Sequence, residues 1–533
     1  MATLKASRLG LMRIQQARRE RGWSWNGEDD SCFVAASRLL EPGGVWCSGG
    51  PYAYGISLGT WKRFLAGKAA INAQTFKAYC QVLGLNWEEV VDRQGDIWTG
   101  TQQDWDEAID VAQFCGREQE LAELEHWIGS DRCRLVVLSG MGGIGKTTLS
   151  VQLAQRIEGH FEFVLRRSLR RAPSLEPLLH ECNTFLGHPS VAPPIHPLTH
   201  LLETLRQHRC LVLLDDVETI LCSGELAGQY QSHYQNYHEL FRRLAQESHQ
   251  SCILVITREK LRDLTSLAGE ALPVRDFRLG GLEIQAAHKI LATKGFLPHT
   301  PGSHELIRLY RGHPLALKLM ATTIQEIFGG QVDEFLSQST LVLGDIMPSI
   351  FHQQLQRLSS SETVIINWLA LANRPITFNH LRQYLRFSAI STSEMVAALE
   401  SLKRRSLLDV VPSDTSTPWF SIEPVLMKYV ISQLAEQFSQ EIINLLSNST
   451  ETKILTLKMY CLVEQHDHSA ISLRPWMINR LNDSLSSRMP ELAKNQPQIS
   501  RVYEELNLKS AKELGYALQN LQCLFPDLNS RSA

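Results

Sequence analysis

The stretch Leu135-Val-Val-Leu-Ser139, followed by Gly140-Met-Gly-Gly-Ile-Gly-Lys-Thr-Thr148, decides how the rest of the chain reads. Its spacing fits G-x-x-x-x-G-K-[ST], with Lys146 and Thr147 in the last two places. Such a motif carries meaning when it leaves a buried strand and opens a helix. Leu135 to Ser139 supply the strand, and Leu149, Leu153, Ala154 and Ile157 then recur at helical spacing. The glycines let the backbone curl so that successive N–H groups face one anion. The start of the helix adds positive dipole. Lys146 adds a point charge near β- and γ-phosphates, and the Thr147 hydroxyl can serve Mg²⁺. A nucleotide-phosphate site is therefore expected at Gly140, Gly142, Gly143, Gly145, Lys146, Thr147 and Thr148.

Working outward, Leu211-Val-Leu-Leu-Asp-Asp216 follows at an ordinary Walker B distance. An apolar strand delivers Asp215 and Asp216 to its carboxyl end, where open α/β sheets bind ligands. Asp215 is expected to hold Mg²⁺ and Asp216 to orient an attacking water. A third apolar run, Cys252-Ile-Leu-Val-Ile-Thr257, ends in Arg258, which can read a γ-phosphate or stand as a surface arginine. Arg166, Arg167, Arg170 and Arg171 follow the second strand and read as a solvated face. Runs of four to six apolar residues alternating with helical stretches predict parallel strands covered on both faces.

Composition is consistent with this. The chain has 533 residues, or three to four domains at about 150 each. A net charge of −3 argues against a field that would favour nucleic acid over the whole surface. The 11 cysteines are scattered, without a C-x-x-C pair, so a zinc ribbon is excluded and reducing cytoplasm is the expected location. No apolar run approaches ~18 residues, so no membrane partner is expected. The sequence divides into 1–93, a polar linker at 94–112, a nucleotide-binding domain at 113–280, a helical domain at 281–345, a winged helix at 346–435 and a helical tail at 436–533. In the tail, Glu464, His466, Asp467 and His468 have metal-ligand chemistry but poor spacing, and read as solvent-facing.

Phe114-Cys-Gly-Arg-Glu-Gln-Glu-Leu121, the loop GMGGIGKTTL, the LLDD strand, the Ile-Thr-Arg end at 258 and Gly312-His-Pro-Leu-Ala-Leu317 stand in one order. In that order and spacing they resemble the motifs of NB-ARC ATPases, of the STAND class of P-loop NTPases. The resemblance covers about residues 113–435. It implies a sheet of strand order 2-3-1-4-5, with the strand at 135 central and that at 211 beside it. It places Arg117 near the adenine, Thr148 near the α-phosphate, Arg258 as sensor of the terminal phosphate and Pro314 against the base. It implies a slow ATPase switch that binds ADP or ATP with Mg²⁺ and forms homo-oligomers when active. The effector and sensor partners stay unnamed. Where many members carry Met-His-Asp, this chain reads Phe420-Ser-Ile-Glu-Pro-Val425, with Glu423 at the His place and Pro424 at the Asp place. A carboxylate there repels phosphate unless it is turned away or protonated. The variant resembles cyanobacterial members, in which WD-type propeller repeats follow; none is visible in these residues.

Residues 57–92 resemble a Cro-type helix-turn-helix, with Lys62, Arg63 and Lys68 suited to phosphate contact and 24–56 as an insertion. This leaves an ATP-dependent transcription regulator as the alternative function, and a nucleotide-binding scaffold without turnover as a third. Residues 1–92 carry a net charge of only +3, weak for DNA, so a protein-binding module is favoured. Lys403-Arg404-Arg405 could serve DNA, though a structural role in the winged helix is favoured. We expect no salt-dependent change in fluorescence anisotropy when the full chain is added to labelled duplex DNA. A signal that weakens steeply with salt would establish the DNA reading instead.

Overall fold

The computed structural model describes all residues except 1–2, 22, 24–29, 68, 92–100, 107–109, 113, 187–195, 338–345, 412–416, 448–453, 466–470, 474, 489–495, 509 and 526–533. The chain forms two compact units, Met1–Gly100 and Thr101–Ala533. Among the described residues no helix is long and apolar enough to cross a membrane. Lys68, His466, Asp467 and His468 lie outside the described residues.

The first unit carries β1 (Thr3–Leu4), α1 (Arg8–Glu20), α2 (Ser31–Leu40), α3 (Leu58–Ala66), β2 (Ile71–Asn72), α4 (Ala73–Val82) and α5 (Trp87–Val90). Its centre is Trp61, wholly buried, with Phe64 stacked on it and Phe33 and Tyr79 edge-on. Ser57 caps α3 by accepting from the Thr60 N–H, and Gly67 ends it at φ 64°. That left-handed backbone favours glycine, and a Cβ there would also push the tip of Leu11 aside. The expected insertion at 24–56 needs correction. Within it, α2 packs on α4 and buries Cys32, Phe33 and Ala36, an apolar face at helical spacing.

The second unit opens with β3 (Gln102–Trp105), α6 (Glu118–Gly129), β4 (Leu135–Ser139), α7 (Lys146–Ile157), β5 (Phe163–Ser168), α8 (Leu175–Leu186), α9 (Pro197–Gln207), β6 (Cys210–Asp215), α10 (Asn236–Gln246), β7 (Cys252–Thr257), α11 (Arg262–Thr265) and β8 (Val274–Arg278). The sheet is parallel and six-stranded, in the order β3-β5-β6-β7-β4-β8, with helices between its strands. The α/β class is as expected. Two details are not. Part of the expected linker is β3, which pairs Gln102–Trp105 with Phe163–Arg166 at the sheet edge. Polar residues suit an edge with one face open to water. The second correction is the order. β4 does not adjoin β6, because β7 lies between them, and β4 pairs with β8 on its other side. β4, β6 and β7 are all buried along their whole length. Apolar content marks all three as interior but cannot rank them.

Then come α12 (Ile284–Ala292), α13 (Ser303–Leu309), α14 (Pro314–Ile327) and α15 (Val332–Ser337). The next group is α16 (Ile346–Leu355), α17 (Ser360–Ala372), β9 (Ile376–Thr377), α18 (Phe378–Tyr384), α19 (Thr392–Arg404), β10 (Asp409–Val411) and β11 (Trp419–Ser421). Its three strands form an antiparallel sheet, β10-β11-β9, which includes the expected hairpin. The chain ends with α20 (Pro424–Ser447), α21 (Leu455–Met459), β12 (Val463–Gln465), β13 (Ile471–Leu473), α22 (Pro475–Arg488), α23 (Gln496–Asn507), α24 (Ala511–Leu514) and α25 (Ala517–Leu524). The expected boundary at 435/436 falls inside α20. No Gly or Pro interrupts residues 425–447, so the helix has no reason to stop there.

One buried ionic cluster ties α17 and the end of α19 to the parallel sheet. Arg405 donates to Glu259 (2.5 Å), to Glu362 (3.0 Å) and to the Glu225 carbonyl (2.6 Å). Glu259 is also held by the Gly228 N–H, and Glu362 by Ser401 and by its capping box with Ser359. All three charged side chains are at most 3% exposed. Truncating the shared cation leaves buried Glu362 without its ion partner and Glu259 with Arg357 alone. Arg405→Ala should lower the unfolding free energy by about 3–5 kcal/mol in urea titrations. Arg405→Lys should recover only part of this, because an ammonium lacks the fork that spans both acids.

Candidate functional site

The site grows from the carboxyl ends of β4, β6 and β7. Gly143 and Gly145 take φ +78° and +100°, which other residues resist. They turn the chain from β4 into α7, whose N-cap Gly145 offers no side-chain acceptor to the first helical N–H groups. Those donors, with the helix dipole, form an anion-binding end. Lys146 is buried, and its Nζ donates to the carbonyls of Gly140 (2.9 Å) and Met141 (3.0 Å). Burial pulls its pKa down to about 8, while Glu218 and the Asp pair work the other way.

Asp215 ends β6 and is almost wholly buried. It pairs with Arg166 Nη2 at 2.8 Å, and it lines one cavity together with Thr147. Burial is the main force raising its pKa, with Asp216 adding to it. Thr147 and Asp215 therefore bring two hard oxygen donors together, which fits Mg²⁺. Asp216 follows at φ +55° and accepts from Ser168 Oγ at 3.1 Å. The solvated reading of the arginine run is corrected here for two members. Arg166 and Arg167 are buried, paired with Asp215 and with Asp104 and Glu181. Both belong to β5, whose two faces are covered, so each charge finds an acid. Arg170 and Arg171, beyond the strand, are exposed as expected.

β7 delivers Thr257 and Arg258. Arg258 Nε lies 3.1 Å from Glu218 Oε1, and its backbone N–H donates to Glu218 Oε2 at 3.0 Å. Thr257 Oγ1 donates to the same oxygen at 3.2 Å. Sequence reasoning passed over Glu218. It follows the Asp pair in a short turn, Val217–Ile220, that folds it back toward the site. Its signal was an acid two residues past the Walker B aspartates.

The far wall comes from α14. His313 is wholly buried. Its Nδ1 accepts from the Ala316 N–H (3.3 Å), which fixes the proton on Nε2, facing the Gly142 carbonyl at 3.1 Å. It is thus a helix cap and a strut to the glycine loop. A Cβ on Gly143 would lie 2.7 Å from Leu315 Cδ2, so the loop and α14 approach closely. Gly143, Gly145, Lys146, Thr147, Thr148, Asp215, Asp216, Arg258 and Pro314 line one cavity of ≈ 300 Å³, with Glu218 and Lys318. Gly140 and Gly142 are outside that lining, Gly140 close to Leu279 and Gly142 close to Ile350 and Arg258. Arg117 is not part of that lining. Its guanidinium donates to the carbonyls of Gly280, Gly281 and Ile144 and pairs with Glu120. A neighbouring cavity of ≈ 390 Å³ shares Asp216, Glu218 and Arg258 and reaches Arg357 and Arg405.

Glu423 faces a different set of charges. Protein packs round its carboxyl and pushes the pKa up to about 7, with Asp409 adding to the rise and Arg311 and Arg278 opposing it. Asp409 itself bridges Arg278 and Arg311 at 2.8 and 2.9 Å.

His313 generates a pH test. Burial lowers its pKa to about 4, below the ~6.5 of an unfolded histidine. The unfolded chain therefore binds a proton first as pH falls. The stabilisation is complete above pH ~6.5 and is lost on the way down through pH ~4. His313→Asn keeps a cap acceptor but does not titrate. The stability gap between wild type and this variant should shrink by on the order of 2–3 kcal/mol between pH 7 and 4 in urea unfolding.

The chain is similar to several known proteins. A WD repeat-containing protein of a Nostoc species is 42% identical over 472 residues, which cover 83% of this chain and 37% of that protein. A disease resistance protein of Arabidopsis thaliana is 28% identical over 230 residues, 40% of this chain and 19% of that protein. The chain thus spans well under half the length of these relatives. A Walker-type ATPase of Pyrococcus abyssi matches with a TM-score of 0.42 at 15% identity, over 62% of this chain and 98% of that chain. Residues 117–296, which hold the glycine loop, the Asp pair and Arg258, match the family model of the NB-ARC domain.

Proposed function

We propose that the chain is an adenine-nucleotide switch of the NB-ARC type that binds ADP or ATP with Mg²⁺ and turns ATP over slowly. The observation that carries this is one cavity lined by Gly143 and Gly145 of the loop with Lys146, Thr147, Asp215, Asp216 and Arg258. In this reading the amides of Gly143 and Gly145 and the ammonium of Lys146 bind phosphate oxygens. Thr147 and Asp215 hold the cation, which when bound would neutralise phosphate charge. Asp216 orients water, Arg258 reads the terminal phosphate, and Pro314 and Leu315 cover the nucleotide. Arg117 acts through the main chain, fixing the path of 280–281 against the loop. We read 346–421 as a winged helix, 1–93 as the output module and self-assembly as the active state.

Lys146→Ala should abolish nucleotide binding with the fold intact. Mass spectrometry of nucleotide released from the purified protein checks this: wild type yields ADP or ATP, and the variant yields none. ADP retained by a folded Lys146→Ala protein would show the pocket to be wrongly assigned. Asp216→Asn should bind nucleotide but lose about 10²-fold or more in phosphate release. Equal release from both proteins would leave Asp216 without a role in turnover.

A further inference from the structure

Among the cations that line the cavity, Arg258 is suited to a terminal phosphate and is already paired with an internal carboxylate. Glu218 pairs with Arg258 Nε at 3.1 Å and accepts from the Arg258 N–H at 3.0 Å and from Thr257 Oγ1 at 3.2 Å. The main chain at Glu218 is pinned as well, because Arg357 Nη2 donates to its carbonyl at 2.9 Å. Glu218 lines both the ≈ 300 Å³ cavity and the ≈ 390 Å³ cavity beside it, so it stands where the two meet.

We propose that Glu218 is a resident anion that occupies the place of a terminal phosphate, so that the pocket as folded prefers a nucleoside diphosphate to a triphosphate. The inference rests on reading the cavity as an adenine-nucleotide site. The physics is competition. A further phosphate brings like charge toward a buried carboxylate and must draw Arg258 away from it. A nucleotide that ends at the β-phosphate leaves the Glu218–Arg258 pair intact. Glu218 is thus a specificity-determining residue that acts through Arg258.

The test is calorimetric titration of the full chain with ADP and with a non-hydrolysable ATP analogue, both with Mg²⁺. Wild type should bind ADP tighter by about tenfold or more, a measurement that needs no variant. Glu218→Gln keeps the shape and an acceptor oxygen while removing the charge. It should close the gap between the two ligands by about tenfold. Wild type binding both within about threefold would overturn the inference. So would a Glu218→Gln protein in which both affinities shift together, the result expected of a purely structural clamp. If wild type binds neither ligand, the nucleotide reading of the cavity fails first.

Discussion

The ammonium of Lys146, held against the carbonyls of Gly140 and Met141, is a charge taken out of water at the end of β4. Burial works against it, so its surroundings have to answer with opposite charge. The sheet supplies that charge from two directions. β6 brings Asp215 and Asp216, and the turn after them brings Glu218. Those acids need counter-ions in turn, and Arg166 and Arg258 provide them from β5 and from the end of β7. Each strand end answers a charge presented by its neighbour, which is why parallel alignment of β4, β5, β6 and β7 matters more here than any single contact. Placing β7 between β4 and β6 is what sets Thr257 and Arg258 among the loop lysine and the Asp pair.

How much of this could be read from the residues depends on how local each cause is. The strand, glycine loop and helix from Leu135 to Ile157 are legible because turn, dipole and lysine all lie within one short segment. The Asp pair is legible for the same reason. Arg166 is not, since its burial follows from cover on both faces of β5 and its partner lies 49 residues away. Glu218 looks like any polar residue after a strand until the turn folds it back. The exchange of β4 and β7 in the sheet could not be read from composition, because two equally apolar strands carry no label of adjacency. The edge strand β3 hid in a polar segment for the opposite reason: an edge needs little apolar surface.

Glu423 shows chemistry substituting for sequence pattern. A carboxylate at that place looked ill-suited to a phosphate. Here the charges that act on it are Asp409 of β10, Arg311 before α14 and Arg278 from the sheet. With Arg405, Glu259 and Glu362, this gives the 346–421 segment two ionic attachments to the parallel sheet. One is wholly buried and the other partly open. Their response to salt should differ accordingly, since water and ions screen only the second.

The continuity of α20 has a mechanical consequence. Its 24 residues make a rod about 36 Å long, starting one residue after Glu423 and running on to pack against α22 and α23. An unbroken ladder of main-chain hydrogen bonds transmits tilt rather than absorbing it. The same unbroken element thus joins the tail helices to the salt-bridged corner beside Glu423.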